Sequence, residues 1–362
     1  MVERDPVELT KELIKYRSVK SNPEELDRTI EFIQNYFSGS EFITRRYEKD
    51  GKPSLVVLFE ETHSPDIMLH GHIDVVEAED RLFEPEESGD WLYGRGSADM
   101  KSGVAALMIL MKKLGQRENQ PSVGLMIVSD EEIGGFKGIK YLLEEEGYRP
   151  SFGLSAEPRN TEVPEITTEQ KGVFKIDVTS KGKGSHASQP WNGQNSAVKL
   201  LDAFKEITEE LPESSKDKWT TTAALTTIKG GKAKNTVTPE TDAHIDVRFT
   251  QEKDLKKIKD ILAGNDIEYS VLDKAPKMQA PISNNYVKAL KKACKEVEGE
   301  CRTEKSPEAS DMRYFSDKGV PAVVFGPTGY NLHAENEKLY KPSLSPYINI
   351  MERFIDKIDQ TL

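Results

Sequence analysis

The chain has 362 residues, 36% of them hydrophobic and 31% charged, which is enough for two folded domains with a highly charged surface. Its 50 basic and 62 acidic residues give a net charge of -12 at pH 7, which disfavours nucleic acid as a partner because phosphates repel an acidic protein. The longest apolar runs are too short to span a membrane, and the first residues lack the features of a secretory signal, so we expect a cytoplasmic protein with no membrane partner.

Two amphipathic helices are predicted at the start of the chain. Asp5-Pro6 and Asn22-Pro23 are typical helix beginnings, and apolar residues recur at helical spacing after each. Short apolar runs then predict buried strands at 54–59, 66–70, 123–128 and 321–325, and helices are predicted near 100–115 and 136–146. Strands that alternate with helices indicate a layered α/β domain with a mainly parallel sheet.

The middle of the chain predicts a second domain of a different kind. The elements expected there are strands near 169–180, 220–229, 241–249 and 267–273, and helices near 194–211 and 252–263. Their order is β-α-β-β-α-β, which is typical of a ferredoxin-like α+β unit. Segments rich in proline and polar residues flank it, as linkers do. We therefore predict an inserted domain at 167–276 and a discontinuous first domain formed by 1–166 and 277–362.

Chemically active side chains follow several of the predicted strands. His72 and Asp74 come after the run 66–70, two residues apart, so that on extended backbone they point the same way. A metal-binding imidazole usually donates its other N–H to a carboxylate, and Asp74 is placed to accept it. Asp130, Glu131 and Glu132 follow another buried strand, where a cation would relieve their mutual repulsion. A structural histidine and a solvated acidic turn are the ordinary alternatives.

Three further candidates occur in loops. Asp99 follows a glycine-rich turn before a helix, where capping is its alternative role, Glu157 ends an apolar segment, and His333 follows the strand 321–325. Ligands of open α/β sheets bind beyond the carboxyl ends of the strands. Five side chains can be placed there: His72, Asp99, Glu132, Glu157 and His333. Two imidazoles and three carboxylates suit a pair of zinc-like ions.

These motifs together resemble the co-catalytic zinc amidohydrolases, a family that includes acetylornithine deacetylase, succinyl-diaminopimelate desuccinylase, aminoacylase and glutamate carboxypeptidase. The resemblance lies in the order Gly-His-x-Asp, Gly-Arg-Gly-x-x-Asp-Met-Lys, Asp-Glu-Glu-x-Gly, Glu-Pro and His-x-x-Asn-Glu, and it extends to about residue 342. It implies a catalytic domain with an inserted lid and dimerisation domain. It also implies two zinc ions, with cobalt or manganese as alternatives, and hydrolysis of an amide bond in an N-acyl amino acid or small peptide with a free carboxylate.

The resemblance implies a role for each matched residue of the first domain. Asp74 would orient His72, Glu131 would be the general base, and the peptide bond after Asp99 would be cis. The implied ligands are His72 and Glu157 for one zinc, Glu132 and His333 for the other, and Asp99 as the bridge between them.

The inserted domain also matches the family. The segment 182–190 resembles a lid motif whose histidine, here His186, acts in the partner subunit's active site, so a homodimer is implied. Asn235 and Arg248 match positions that hold the substrate's carboxylate or the reacting oxygen, and the planar fork of an arginine suits a carboxylate. Ser310 matches a substrate-binding loop, but Glu308 and Ala309 depart from that loop's usual Gly-Gly-Thr-Ser-Asp pattern. The acyl or side-chain preference therefore stays open.

Several functions fit this pattern. The first is deacylation like that of acetylornithine deacetylase or succinyl-diaminopimelate desuccinylase, and the second is a metallo-dipeptidase or carboxypeptidase of the same family. A zinc aminopeptidase would need an acidic pocket for a free amine, whereas Arg248 favours a carboxylate. A metal-binding homologue without turnover would lack the base or a ligand, and all of them are present in the sequence.

Overall fold

The computed structural model describes residues 4–215 and 217–360. The chain divides into two compact units, which are Met1–Glu169 with Met278–Glu304 and Ser310–Leu362, and Gln170–Lys277 with Lys305–Ala309. Within the described residues, no helix combines the length and the hydropathy that a membrane crossing requires.

The helices and strands alternate along most of the chain. The helices are α1 (Pro6–Ile14), α2 (Pro23–Tyr36), α3 (Lys101–Gly115), α4 (Ile139–Glu144), α5 (Ser196–Glu210), α6 (Glu252–Gly264), α7 (Asn285–Glu298), α8 (Met312–Asp317) and α9 (Leu344–Asp359). The strands are β1 (Ile43–Lys49), β2 (Lys52–Leu58), β3 (Ile67–His72), β4 (Glu86–Ser88), β5 (Trp91–Tyr93), β6 (Val123–Val128), β7 (Phe152–Ser155), β8 (Glu165–Gln170), β9 (Gly172–Lys181), β10 (Thr222–Gly230), β11 (Glu240–Phe249), β12 (Ile267–Ala275), β13 (Met278–Gln279), β14 (Arg302–Ser306), β15 (Ala322–Val324), β16 (Gly329–Tyr330) and β17 (Lys338–Tyr340).

The main sheet of the first unit has the strand order β1-β2-β6-β3-β7-β15-β8-β13, and β14 pairs with β8. The adjacent strands β6, β3, β7 and β15 are parallel, so their carboxyl ends lie at one edge of the sheet. The outer strands β1, β2 and β8 are antiparallel to their neighbours, which makes the sheet as a whole mixed. The α/β class is confirmed, and the predicted parallel arrangement applies to the centre of the sheet.

The antiparallel edge has a local cause. β1 and β2 are joined by Asp50 and Gly51, which have φ values of 49° and 72°. Two successive residues in the left-handed region form the tight turn of a hairpin, and such a turn can connect only antiparallel strands. Strand β2 therefore enters the sheet as the second strand of a hairpin rather than through a helical crossover.

Helices cover both faces of the main sheet. Along β2, Leu55 and Val57 belong to one apolar core with α1, α2, α3, α7 and α9, whereas Val56 and Leu58 belong to a second core with α4 and α8. Alternate residues of a strand point to opposite faces, so a strand buried on both faces is apolar throughout. This three-layer arrangement holds the parallel strands rigidly in register.

The second unit has the predicted β-α-β-β-α-β order. Its sheet has the strand order β10-β11-β9-β12 with antiparallel pairs throughout. Apolar residues of β9 and β11 pack against α5 and α6, which form one core with the sheet. The ferredoxin-like α+β architecture of the inserted unit is confirmed.

A small sheet in the first unit carries one further loop. Its strand order is β16-β17-β5-β4, and the segment 331–337 connects β16 to β17. This connection holds His333, whose own φ is 63°.

Candidate metal centre and active site

The parallel strands deliver most of the candidate ligands to one edge of the sheet. His72 is the last residue of β3. Glu131 lies three residues after the end of β6 and is followed by Glu132, and Glu157 lies two residues after the end of β7. His333 comes after β15 in the chain and lies in the connection between β16 and β17. The carboxyl ends of neighbouring parallel strands meet at the same edge, so chain segments distant in sequence supply one site.

Asp99 lies between the two histidines. Its Oδ1 is 3.2 Å from His72 Nε2, and its Oδ2 is 3.4 Å from His333 Nε2. The Asp99–Met100 peptide bond is cis, as the resemblance implies. One carboxylate with an imidazole on each oxygen has the arrangement that a bridging metal ligand requires.

Glu132 completes a three-residue cluster. Its Oε2 is 3.2 Å from His333 Nε2, and one ligand atom from each of Asp99, Glu132 and His333 lies within 4.8 Å of the others. The side chain of Glu132 is only 10% exposed, whereas that of His333 is 53% exposed. The cluster is thus open to solvent on the side of His333.

Glu157 is a half-buried acid with an unpartnered carboxylate oxygen. Its Oε1 has no hydrogen-bond partner among the described residues, and burial, together with the nearby charge of Asp99, raises the pKa of Glu157 to about 8. An ionised carboxylate without a partner in a protein interior is costly. The donor set, with this orphaned oxygen, therefore fits a bound cation.

The two histidines counter the same excess of negative charge. Hydrogen bonds to Asp99 and Glu132 raise the pKa of His333 to about 10. Burial opposes protonation of His72, but Asp74 and Asp99 raise its pKa well above the usual value. Burial raises and the two imidazoles lower the pKa of Asp99, with a net shift downward. A divalent cation would supply the positive charge that these imidazoles otherwise take up as protons.

Glu131 faces the same group of charges. Burial and the charges of Asp311, Glu157 and Asp99 raise its pKa well above the ordinary value, and His72 lowers it. Its backbone N–H donates to Asp74 Oδ1 at 3.2 Å, which fixes the turn that follows β6. Glu131 is thus held beside the cluster.

The carboxylate of Asp74 binds the turn that carries Glu131 and Glu132 more closely than it binds His72. Its two carboxylate oxygens accept the N–H groups of Glu131 and Glu132 at 3.2 and 3.0 Å. His72 Nδ1 lies 2.9 Å from the main-chain oxygen of Asp74 but 3.5 Å from its carboxylate. The main-chain carbonyl therefore orients the imidazole, while the carboxylate anchors the acidic turn.

Glu337 and Arg95 form a buried ion pair that supports the site, and no sequence pattern predicts it. Glu337, 2% exposed, accepts the backbone N–H groups of Gly96, Ala98 and Asp99 at 3.1, 2.9 and 3.0 Å and pairs with Arg95. Arg95 Nη2 also donates to the main-chain oxygen of His333 at 3.1 Å. The pair thus joins the segment of Asp99 to the segment of His333.

A second buried group joins β3 to the end of β7 and the start of α8, and no sequence pattern assigns it a role. His70, on β3, lies with Nδ1 3.2 Å from Ser155 Oγ and Nε2 3.5 Å from Asp311 Oδ2. His70 and Asp311 are fully buried. Burial is the largest cause of the raised pKa of Glu131, and the charge of Asp311 is the next largest. Asp311 therefore acts on both His70 and the turn that carries Glu131.

Ser310 lies just before α8. It is buried, and the backbone N–H of Met312 lies 3.4 Å from its Oγ. Its neighbour Asp311 is close to Gly135, which follows the acidic turn. Asp311, directly after Ser310, is therefore packed against the turn that carries Glu131.

Gly135 offers a test of this packing. Its φ is +66°, and an added Cβ would lie 1.9 Å from Asp311 Oδ1. We expect Gly135→Ala to lower the thermal midpoint of unfolding by more than Gly51→Ala, because at Gly51, with φ +72°, an added Cβ meets nothing within 4 Å. The left-handed backbone costs each variant about 1 kcal/mol, and the clash adds about 1–3 kcal/mol to the first. Equal midpoints in a thermal melt would contradict the close approach.

The second unit brings two of its candidate residues together. Ala187 N–H donates to the oxygen of Asn235, and Val237 N–H donates to the oxygen of Ser185, both at 2.8 Å. His186, between them, is exposed, and its Nδ1 lies 2.7 Å from Ser188 Oγ. Backbone hydrogen bonds therefore join the segment 182–190 to the segment of Asn235.

Arg248 lies on β11 and is engaged within the second unit. Its Nε and Nη2 donate to the two oxygens of Asp246 at 2.8 and 3.2 Å. The side chain is 33% exposed. Its planar fork is thus held in a defined direction by an acid two residues earlier.

The fold and the cluster of carboxylates and imidazoles define a metal-dependent hydrolase. The sequence profile of Peptidase family M20/M25/M40 matches residues 68–357, and the chain belongs to this family. Its members are metal-dependent, and the protein is a hydrolase that acts on amide bonds. The resemblance found in the motifs is confirmed.

Relatives and solved structures agree with this assignment. The chain is 28% identical to a succinyl-diaminopimelate desuccinylase of Nautilia profundicola, over 97% of this chain and 99% of the relative. It is 28% identical to aminoacylase-1 of Mus musculus, over 76% of each chain. The fold matches the aminopeptidase PepT of Bacillus cereus with a TM-score of 0.82 at 17% identity, over 98% of each chain.

Proposed function

We propose that this protein is a two-zinc deacylase that hydrolyses the amide bond of N-acyl amino acids with a free carboxylate. The observation that carries the proposal is the convergence of acids and imidazoles around Asp99, with Glu131 beside them. Relatives that share nearly the whole chain and are named as desuccinylases support an acyl amino acid as the substrate.

The proposed ligands divide between two ions. His72 and Glu157 would hold one zinc, Glu132 and His333 the other, and Asp99 would bridge them. When bound, the ions would lower the pKa of a shared water and polarise the substrate carbonyl. Cobalt or manganese would suit the same mixture of imidazole and carboxylate.

The remaining roles belong to side chains of this chain. Glu131 would take the proton of the attacking water and deliver it to the leaving nitrogen, a transfer worth about 10² to 10⁴ in rate. Asp74 holds the backbone of Glu131 and Glu132, so it keeps base and ligand in a fixed relation. Closure of the second unit as a lid would exclude water during the reaction.

Arg248 would bind the substrate's carboxylate, and Asn235 would donate to the reacting oxygen. We expect Arg248→Lys to raise KM for an N-acyl amino acid by roughly tenfold with a smaller change in kcat, because an ammonium lacks the two parallel donors of a guanidinium. Arg302→Lys is the matched control, since Arg302 Nε also donates to an acid two residues earlier, Glu300, at 2.9 Å. Steady-state kinetics with an unchanged KM for Arg248→Lys would remove this residue from substrate binding.

A homodimer would bring His186 to the partner subunit's active site. The exposure of His186 supports this arrangement. The apolar side chains Val198 and Leu201 on α5 are also exposed, and β10 lies at the edge of its sheet. These features fit a second copy of the chain seated on the second unit.

Mixing two inactive variants tests this arrangement. Glu131→Gln and His186→Ala are each expected to lose activity alone. Random exchange makes half of the dimers mixed, each with one complete site, so the mixture should recover about one quarter of the wild-type activity. No recovery, in a mixture shown to be dimeric by sedimentation, would place His186 in its own subunit's site or outside catalysis.

A substrate panel tests the proposed reaction. The zinc-loaded protein would be assayed with N-acetyl and N-succinyl amino acids, dipeptides, and the same compounds with the carboxylate blocked as an amide. The proposal expects the highest kcat/KM for an N-acyl amino acid and a large loss when the carboxylate is blocked. Preferred cleavage of dipeptides would identify a metallo-dipeptidase, and tolerance of a blocked carboxylate with a requirement for a free amine would identify an aminopeptidase.

A further inference from the structure

A buried arginine outside the metal cluster lacks a counter-charge. Arg159 is 9% exposed, and its Nε donates to Thr328 Oγ1 at 3.0 Å while Nη1 donates to the oxygen of Gly326 at 3.4 Å. Within the described part of the chain, no carboxylate oxygen lies within 4.0 Å of the guanidinium, and Nη2 has no hydrogen-bond partner. Buried charges are normally paired.

The surroundings of Arg159 are fixed rather than adaptable. Its backbone N–H donates to Pro327 at 3.0 Å, and its oxygen accepts the N–H of Gly329 at 2.9 Å. The hydroxyl of Thr328 also donates to Thr161, and the backbone N–H of Thr328 donates to Ser343 at 2.9 Å. These contacts hold the backbone and the Nε and Nη1 side of Arg159 in place.

Arg159 lines a cavity of about 480 Å³ in the first unit. Aromatic rings form one wall: the ring centroids of Trp91 and Tyr340 are 5.1 Å apart, and those of Trp91 and Tyr330 are 5.7 Å apart. Two exposed acids, Glu162 and Glu298, also line the cavity. The volume is in the range of small-molecule sites, and an apolar wall with a few polar groups is their usual composition.

We propose that this cavity binds a free α-amino acid with an apolar side chain. The carboxylate would accept two of the three unoccupied N–H groups of Arg159, where a planar guanidinium suits it. The ammonium group would lie toward Glu162 and Glu298, and the side chain would pack on Trp91 and Tyr340. The site is separate from the metal ligands, and the ligand has no amide bond to cleave, so its binding is independent of the proposed reaction.

Calorimetric titration of the 362-residue chain tests the proposal with four probes. L-leucine carries all three features, leucinamide lacks the carboxylate, 4-methylpentanoate lacks the ammonium group, and glycine lacks the side chain. We expect L-leucine to bind at least about tenfold more tightly than each of the others, because every omission leaves one charged or apolar partner unmatched. No heat of binding with L-leucine up to about 10 mM would overturn the proposal.

Two variants locate the binding. Arg159→Gln should weaken the binding of L-leucine by about tenfold or more, since it removes the charge that the carboxylate meets. Unchanged affinity in this variant, with a wild-type near-ultraviolet circular dichroism spectrum, would place the ligand elsewhere, including the metal centre. If Arg159→Gln does not fold, the surface variant Glu162→Gln/Glu298→Gln decides. It should bind L-leucine no better than 4-methylpentanoate, and undiminished preference for L-leucine would contradict the site.

Discussion

Glu131→Gln is expected to abolish turnover and to leave the metal content of the protein at the wild-type level. The carboxylate of Glu131 is the proposed proton carrier, whereas the neighbouring Glu132 is the one that lies 3.2 Å from His333 Nε2. Glutamine keeps the size and the backbone hydrogen bond to Asp74 but cannot accept the proton of water. The loss in kcat should be at least about 10² to 10⁴-fold, the usual worth of general base catalysis.

The measurement pairs kcat with elemental analysis of the same sample. Glu131→Ala should behave like the glutamine variant, and Glu118→Gln, at an exposed position outside the site, should keep full activity. Retained turnover in either Glu131 variant would remove this residue as the base. Loss of one metal from these variants would instead identify Glu131 as a metal ligand, which would contradict its assignment as the base and that of Glu132 as the ligand.

Glu337→Ala is expected to destabilise the first unit strongly. The change leaves Arg95 buried without its counter-charge and leaves the N–H groups of Gly96, Ala98 and Asp99 without their acceptor. Removing one partner of a buried ion pair costs about 3–5 kcal/mol in the free energy of unfolding. For a unit of this size the thermal midpoint should fall by roughly 5–15 °C.

A matched control lies two residues away on the same loop. Glu335 pairs with Arg81 at 2.7 Å, but both side chains are mostly exposed, so Glu335→Ala should leave the midpoint nearly unchanged. Glu337→Ala should also weaken metal binding by about 10 to 100-fold, because Glu337 positions the segment of Asp99. Equal midpoints for the two variants, or unaltered metal affinity in Glu337→Ala, would contradict its role as a support.

The candidate ligands could be predicted from the sequence because each lies in a short local pattern beside a recognisable strand or turn. His72 and Asp74 directly follow an apolar run, and the acids 130–132 follow another. The carboxyl-edge rule for parallel strands then predicts that they meet. That inference needs only the parallel direction of the central strands, which alternating strands and helices indicate.

The supports of the site were not predictable in the same way. Glu337 belongs to the motif His-x-x-Asn-Glu, yet its partners are backbone N–H groups 238 to 241 residues earlier, which no side-chain pattern reveals. The approach of His70 to Asp311 joins residues of β3 and the start of α8. Only the packing of the two faces of the sheet brings such groups together.

Backbone hydrogen bonds also changed the role of one predicted residue. The spacing of His72 and Asp74 predicts a carboxylate that orients the imidazole, but the main-chain oxygen of Asp74 is closer to Nδ1. The carboxylate is instead taken by the N–H groups of the acidic turn, which the sheet places beside it. Pairing of β3 with β6 causes this arrangement, and a local pattern does not contain it.

Anomalous diffraction from crystals of the zinc-loaded protein tests the two-metal centre most directly. We expect two peaks about 3.5–4 Å apart. His72 and Glu157 should contact one peak, Glu132 and His333 the other, and Asp99 both. A single peak, or peaks that none of these five side chains contacts, would contradict the account.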